Sequence, residues 1–251
     1  MSETEKVIHT GRRSSITEDS QKDPMISRRT FLTAAGGTIV SIGLPGVFIK
    51  LSDTKQHALA ASTLSDGRPR LPPGQHAVEK ILNMGGTPGT STVADWNLRI
   101  YGEVERSIDL SYEELLNLEQ VNIICDVHCV TGWTLLDSSW TGVRLETIMD
   151  RVKPSRSGGF IIFEAAEGYT SNVPISDARK ENVLLAHSFF GEKLQRAHGA
   201  PVRVVIPDRY FYKSAKWIEA VKVTSRDEPG FWESKGYSNS ADPWKEERYA
   251  N

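Results

Sequence analysis

The chain of 251 residues carries 30 Lys and Arg against 32 Asp and Glu, a formal net charge of −2. So even a balance leaves no electrostatic footprint for nucleic acid or for an anionic membrane surface as partner. Once an N-terminal leader is set aside, about 190 residues remain, enough for one domain with a sizeable core.

The leader is read from Ser27-Arg28-Arg29-Thr30-Phe31-Leu32, a twin-arginine motif, and from the absence of charge between Arg29 and Lys50. That uncharged stretch approaches the ~20 residues that cross a bilayer. Gly36, Gly37, Gly43, Pro45 and Gly46 dilute it, so a stable span is not favoured. Residues 1–60 are therefore expected to be a twin-arginine signal peptide cleaved after Ala60 in Ala58-Leu59-Ala60, with a retained anchor as the alternative. The partner implied is the twin-arginine translocation machinery, which exports proteins that fold first, often around a cofactor. A periplasmic or extracytoplasmic location is expected.

Residues 61–95, with Pro, Gly, Ser and Arg concentrated in 61–75, are expected to be a linker and N-terminal arm. The domain proper is expected over 96–251. Trp96–Gly102 alternates as a half-buried strand. Ser111 followed by Glu114 is a capping box for a short helix. Val121–Ile124 reads as a strand running into the segment that holds Cys129. Leu145–Met149 has helical spacing and stops before Pro154. Phe160–Glu164, Val183–His187, Val202–Ile206 and Trp217–Val223 read as strands, with a turn at Phe190-Gly191-Glu192. Short strands, turns and two short helices indicate a β-rich α+β domain.

Common signatures are missing. No Gly-x-Gly-x-x-Gly opens a helix after a strand, and neither Gly-x-Ser-x-Gly nor His-Glu-x-x-His occurs. The chain has two cysteines. Cys125 and Cys129 are four apart in an extended run, a span of ~13 Å that a disulfide does not tolerate. His128 and Cys129, as strand neighbours, point to opposite faces and do not make a nucleophile pair. A soft thiolate at Cys129 suits a transition metal. Far from it in sequence lies a basic cluster of Arg196, His198, Arg203, Arg209, Lys213, Ser214 and Lys216. Such groups, with backbone N–H donors, suit a phosphate or pyrophosphate. A solvated basic loop is the simpler alternative.

The motifs His128-Cys129-Val130-Thr131-Gly132-Trp133 and Trp140-Thr141-Gly142-Val143-Arg144-Leu145 then carry a resemblance. With His198–Arg203, Lys213–Trp217, Pro229–Glu233 and Gly236-Tyr237, all in order, the chain resembles bacterial sulfite-oxidase-like molybdopterin oxidoreductases from about residue 70 to 250. The resemblance implies the β-rich sulfite-oxidase-type molybdopterin-binding fold as a single domain. It implies a molybdenum ion on one pterin, with Cys129 as protein ligand. His198, Arg203, Ser214, Ala215 and Lys216 would line the pterin and its phosphate, joined by Ala165 through its backbone. Tyr237 and Lys213 would join Cys129 in catalysis. The Asn and aromatic contacts of the methionine-sulfoxide-reducing branch are not evident in residues 76–95, where Asn83 has no aromatic pair beside it. The implied reaction moves an oxygen atom and two electrons to or from a small sulfite- or sulfoxide-like substrate. No second redox centre is read in the sequence, so a separate electron-transfer partner is expected, with a membrane haem protein as candidate. Two other readings stay open: a non-catalytic binding domain of the same fold, and a metal-free thiol enzyme.

Overall fold

The computed structural model describes residues 59–250. The twin-arginine motif and the uncharged stretch lie outside them. Among the described residues, no helix is long and apolar enough to cross a membrane.

Eleven strands form two sheets among the described residues. In the first, β1 (His76–Val78) lies parallel to β5 (Trp133–Arg144), which pairs with both β4 (Val121–His128) and β8 (Leu184–Phe189). β10 (Arg203–Val205) and β9 (Glu192–Lys193) complete it on β8. The second sheet runs β3 (Ile108–Ser111), β2 (Asn97–Gly102), β11 (Ile218–Thr224), β6 (Phe160–Ala165), β7 (Tyr169–Pro174). Three helices of eight residues or fewer, α1 (Tyr112–Leu116), α2 (Leu145–Val152) and α3 (Ile175–Ala178), lie between strands. This is the β-rich α+β architecture expected.

Strand alternation places the core. On β8 and β10, Leu185 and Val204 join a cluster shared with the second sheet, through Leu98, Ile100, Phe163 and Val221. Their neighbours Leu184, Ala186 and Val205 face the other way, onto Trp140, Trp133 and Cys129. With a side-chain period of two, Arg203 falls on that second face with Val205. The register Arg203↔Ala186 and Val205↔Leu184 fixes it there. A charged residue is thus built into an apolar layer.

The capping box is present: the Ser111 hydroxyl accepts from the Glu114 amide, and the Glu114 carboxylate accepts from the Ser111 amide. A five-residue helix has few hydrogen bonds of its own, so this cap is a large part of its definition. Ser111→Ala is expected to lower stability by about 1 kcal/mol, measured as the shift in denaturation midpoint.

Five strands are not read from the sequence: β1, β3, β5, β7 and the two-residue β9. β5 is twelve residues long and buried on both faces for most of its length, so it lacks clean alternation. The arm is docked rather than free. Arg70 bridges to Asp126 at 2.6 Å and to Asp137, and residues 76–78 add a strand to the first sheet. β10 and β11 lie in different sheets. The segment between them is tied back by Val204 N–H to Ala215 O and by Ile218 N–H to Val202 O, and Val204 and Ile218 share one core cluster.

Candidate functional site: a buried thiol and a basic pocket

Cys129 begins the four-residue turn between β4 and β5. Its amide donates to the Trp133 carbonyl at 2.8 Å, and the Gly132 amide returns to the Cys129 carbonyl at 3.0 Å. The turn needs a positive φ at Gly132, which is +103°. Two distant segments hold it: the Gln75 side-chain amide donates to the Cys129 carbonyl at 3.0 Å, and the Arg248 guanidinium donates to the Val130 carbonyl. The thiol is 5% exposed and lies 3.1 Å from the Thr131 hydroxyl. Burial raises its pKa, against the lowering effect of Thr131 and the Arg248 charge. Both cysteines are free. His128 faces away, its Nδ1 bonded to the Thr134 hydroxyl at 2.9 Å. Burial pushes this imidazole down to about 4, so it is neutral.

A cavity of about 440 Å³ runs from this thiol to the basic cluster. Cys129, His198, Arg203, Ser214, Lys216 and Tyr237 all line it. Arg203 is 2% exposed. Its guanidinium donates to the carbonyls of His198 at 3.0 Å, Ser214 at 2.9 Å and Val204 at 3.2 Å. It lies over the Phe211 ring at 4.3 Å. Among the described residues no carboxylate pairs with it. An arginine has five N–H donors, so some remain for a ligand. Burial pushes its pKa down. His198 is lowered by burial, then by the charges of Arg203 and Lys216. Lys216 is pushed down to about 8 by burial and then by the Arg203 charge. Three basic side chains are thus crowded at one end of the cavity.

Gly199, at φ +109°, permits the crowding. A Cβ there would stand 2.8 Å from the Arg203 Cβ and 3.2 Å from that of Lys216.

Other members of the expected cluster are engaged elsewhere. Arg209 pairs with Asp177 at 2.6 Å, and Arg196 donates to the Gly89 carbonyl. Lys213 is buried in an ion pair with Glu233 and bonds Asn172 at 2.7 Å. It does not line the cavity. Nor do Ala165 and Ala215. Ala165 ends β6 in register with Tyr169, and the lining residue is its neighbour Ala166. Ala215 is in the core, its carbonyl accepting from Val204 and its amide bonded to Lys213 O. Sequence reasoning gave no role to Gln75 and Arg248, which carry no local signal, to Thr131, although it lies within the Cys129 motif, or to the rings of Tyr169 and Tyr212.

Among the described residues, no group of three or more His, Cys, Asp or Glu side chains is arranged to hold a metal ion. A single cysteine facing an anion pocket instead suits a metal whose other ligands arrive on a phosphorylated cofactor. The class defined is a cofactor-carrying redox domain. The chain belongs to the family of the oxidoreductase molybdopterin binding domain, which matches residues 84–232. Its cofactor is thus a molybdopterin.

Similar proteins include the uncharacterized oxidoreductase YuiH of Bacillus subtilis (strain 168), 39% identical over 74% of this chain and 94% of that protein. The protein-methionine-sulfoxide reductase catalytic subunit MsrP of Xanthomonas campestris pv. campestris is 27% identical over 57% of this chain. That alignment spans 49% of the relative. In fold, the chain resembles the sulfane dehydrogenase SoxCD from Paracoccus pantotrophus, with a TM-score of 0.50 and 16% identity. The likeness covers 82% of this chain and 60% of that one.

Proposed function

We propose that the chain is an exported molybdenum-dependent oxidoreductase that moves an oxygen atom and two electrons to or from a small sulfite- or sulfoxide-like substrate. The observation that carries the reading is the single cavity joining the Cys129 thiol to the unpaired Arg203. Cys129 holds the metal as thiolate, and His198, Arg203, Ser214 and Lys216 hold the cofactor phosphate. The bound cofactor supplies the two-electron redox centre.

The protein's residues supply position and charge. Burial holds the free Cys129 thiol in its neutral form, which makes a reactive metal-free nucleophile a poor reading, since reactive thiols sit in electropositive surroundings that lower their pKa. A metal cation removes that penalty by taking the thiolate directly. At the other end, phosphate charge offsets the mutual repulsion of Arg203, Lys216 and His198, drawing the pKa values of His198 and Lys216 back up. Tyr237 lines the space between, and its hydroxyl has no hydrogen bond among the described residues, leaving it able to donate to a substrate oxygen. Lys213, buried against Glu233, acts through the backbone it anchors rather than on the substrate.

Electrons go to or come from a separate partner, with a membrane haem protein as candidate. The MsrP relative is named a catalytic subunit, which supports a partnered arrangement. Metal and pterin analysis of the folded protein tests the reading. About one molybdenum and one pterin per chain is the expected result, and a folded chain that carries neither overturns it. A dye-linked assay against sulfite, sulfoxides and N-oxides then gives direction.

Export is tested separately. Replacing Arg28 and Arg29 by lysine is expected to leave folded, cofactor-loaded protein in the cytoplasm, because the pair acts as an address. Fractionation and N-terminal sequencing of the wild type check the location and the cut after Ala60.

A further inference from the structure

Resting on that reading, we infer that Arg248, which does not line the cavity, is a positioning residue for the metal thiolate. Its guanidinium fixes the turn that presents Cys129 and sets a positive charge beside that turn, which raises the reduction potential of the bound metal.

The turn depends on support from outside. Among the described residues, the Val130 carbonyl accepts from no backbone amide; its donor is the Arg248 guanidinium. The other arm of the same guanidinium reaches the Gly74 carbonyl at 3.4 Å. Gly74 precedes two further supports of the turn. The Gln75 side-chain amide donates to the Cys129 carbonyl at 3.0 Å, and the His76 backbone amide donates to the Gly132 carbonyl at 2.9 Å. One side chain from the end of the chain thus ties the docked arm to the cysteine turn.

Arg248 is itself held in place. The Ser238 amide donates to its carbonyl at 3.1 Å, and the Ala250 amide donates to the Gly236 carbonyl at 2.9 Å. The guanidinium lies over the Tyr210 ring, 5.3 Å from its centroid. A long side chain left to solvent samples many rotamers; anchored at backbone and head, this one keeps its charge in one place.

Nor is the charge cancelled. Among the described residues no carboxylate forms an ion pair with Arg248, whereas Arg68 pairs with Asp66 and Asp208, and Arg70 with Asp126 and Asp137. His198, Arg203 and Lys216 are assigned to the phosphate end, and the Thr131 hydroxyl 3.1 Å from the sulfur is neutral. Burial raises the Cys129 pKa; opposing it, after the bonds from Thr131, is the Arg248 charge, which favours the thiolate. A cation beside a ligating thiolate stabilises the negative charge on sulfur and weakens its donation to the metal. The metal then takes up electrons more readily.

The test is a redox titration of molybdenum-loaded enzyme followed by electron paramagnetic resonance, with metal content and melting temperature measured on the same samples. Arg248→Gln keeps an amide donor for the Val130 carbonyl and removes the charge, whereas Arg248→Lys keeps the charge without the fork. In Arg248→Gln the reduction equilibrium should fall roughly tenfold, about 59 mV for a one-electron couple. Arg248→Lys should retain most of the wild-type potential. Gln75→Met removes a neutral donor to the same turn and should move the potential less than Arg248→Gln does. A wild-type potential in Arg248→Gln, or an equal fall in Arg248→Lys, overturns the inference, because the side chain then acts through its hydrogen bonds alone. A second measurement needs no metal: alkylation of Cys129 by iodoacetamide in the apoprotein at fixed pH should slow roughly tenfold in Arg248→Gln, since the thiolate is the nucleophile. An unchanged rate overturns the inference in the same way. A folded wild-type chain without molybdenum overturns the underlying reading instead.

Discussion

Cys129→Ser is expected to abolish turnover and to strip or loosen molybdenum, whereas Cys125→Ser leaves both nearly intact. Serine matches the thiol in shape and keeps a hydroxyl near Thr131, so the turn from Cys129 to Gly132, held by its own backbone bonds and by Gln75, survives. What changes is the ligand. A hydroxyl is harder and far less readily ionised than a thiol, and a soft metal site loses its protein anchor. Cys125 is placed otherwise. Its sulfur lies 3.8 Å from the Ser138 hydroxyl, and burial pushes its thiol up to about 12. It does not line the cavity. Metal content by mass spectrometry, dye-linked turnover and the melting temperature of each variant make the comparison. Equal losses in both would point to a two-thiol site.

The two serine variants also bear on what sequence could reveal. Cys129 was legible because its surroundings form a contiguous motif, and its exclusion from a disulfide followed from chain geometry alone. Arg203, His198, Ser214 and Lys216 were found through residue type and motif order, and the cavity brings them together. Lys213, Ala165 and Ala215 carried the same signals and yet lie off the cavity. The difference lies in partners distant in sequence: Glu233 captures Lys213, while backbone pairing turns the two alanines into core. No local pattern encodes such pairings. Arg248 illustrates the converse, a C-terminal residue that returns to the Val130 carbonyl 118 positions away.

Strands followed the same division. β2 and β11 were read from alternation, and β6 and β8, though largely buried on both faces, from short apolar runs unbroken by glycine. β5 was not, because it is buried on both sides and carries Ser138, Thr141 and Gly142 within it. Its Gly142 is required by close packing: a Cβ there would stand 2.1 Å from the Leu185 carbonyl oxygen of β8. A glycine of that kind looks like a turn in sequence and is a strand–strand contact in space.

Arg203→Ala is expected to lower molybdenum and pterin content together with activity, measured per folded chain. The side chain fills an apolar layer between Phe211 at 4.3 Å and Trp140 at 5.3 Å, so its loss also opens space and strands three carbonyls. Each stranded group costs about 1–3 kcal/mol, so a lower melting temperature is expected as well and does not by itself identify the role. Lys216→Ala separates the two effects. Lys216 is half-buried, donates to the Gly85 and Ala197 carbonyls and lies over the Trp217 ring at 4.2 Å, so its removal should cost less stability than that of the fully buried Arg203. If the cluster holds phosphate, Lys216→Ala still reduces cofactor content, because a charge-assisted contact is lost. Arg203→Lys should fall between, keeping one cation without the planar fork that reaches three carbonyls and a phosphate at once. The apoprotein gives an independent sign. Without Arg203, the repulsion that holds His198 and Lys216 down is relieved, and both should titrate at higher pH. NMR titration of the His198 ring reads this directly. Full cofactor occupancy in folded Arg203→Ala, with His198 titrating as in the wild type, would mean that the pocket binds its cofactor by other groups.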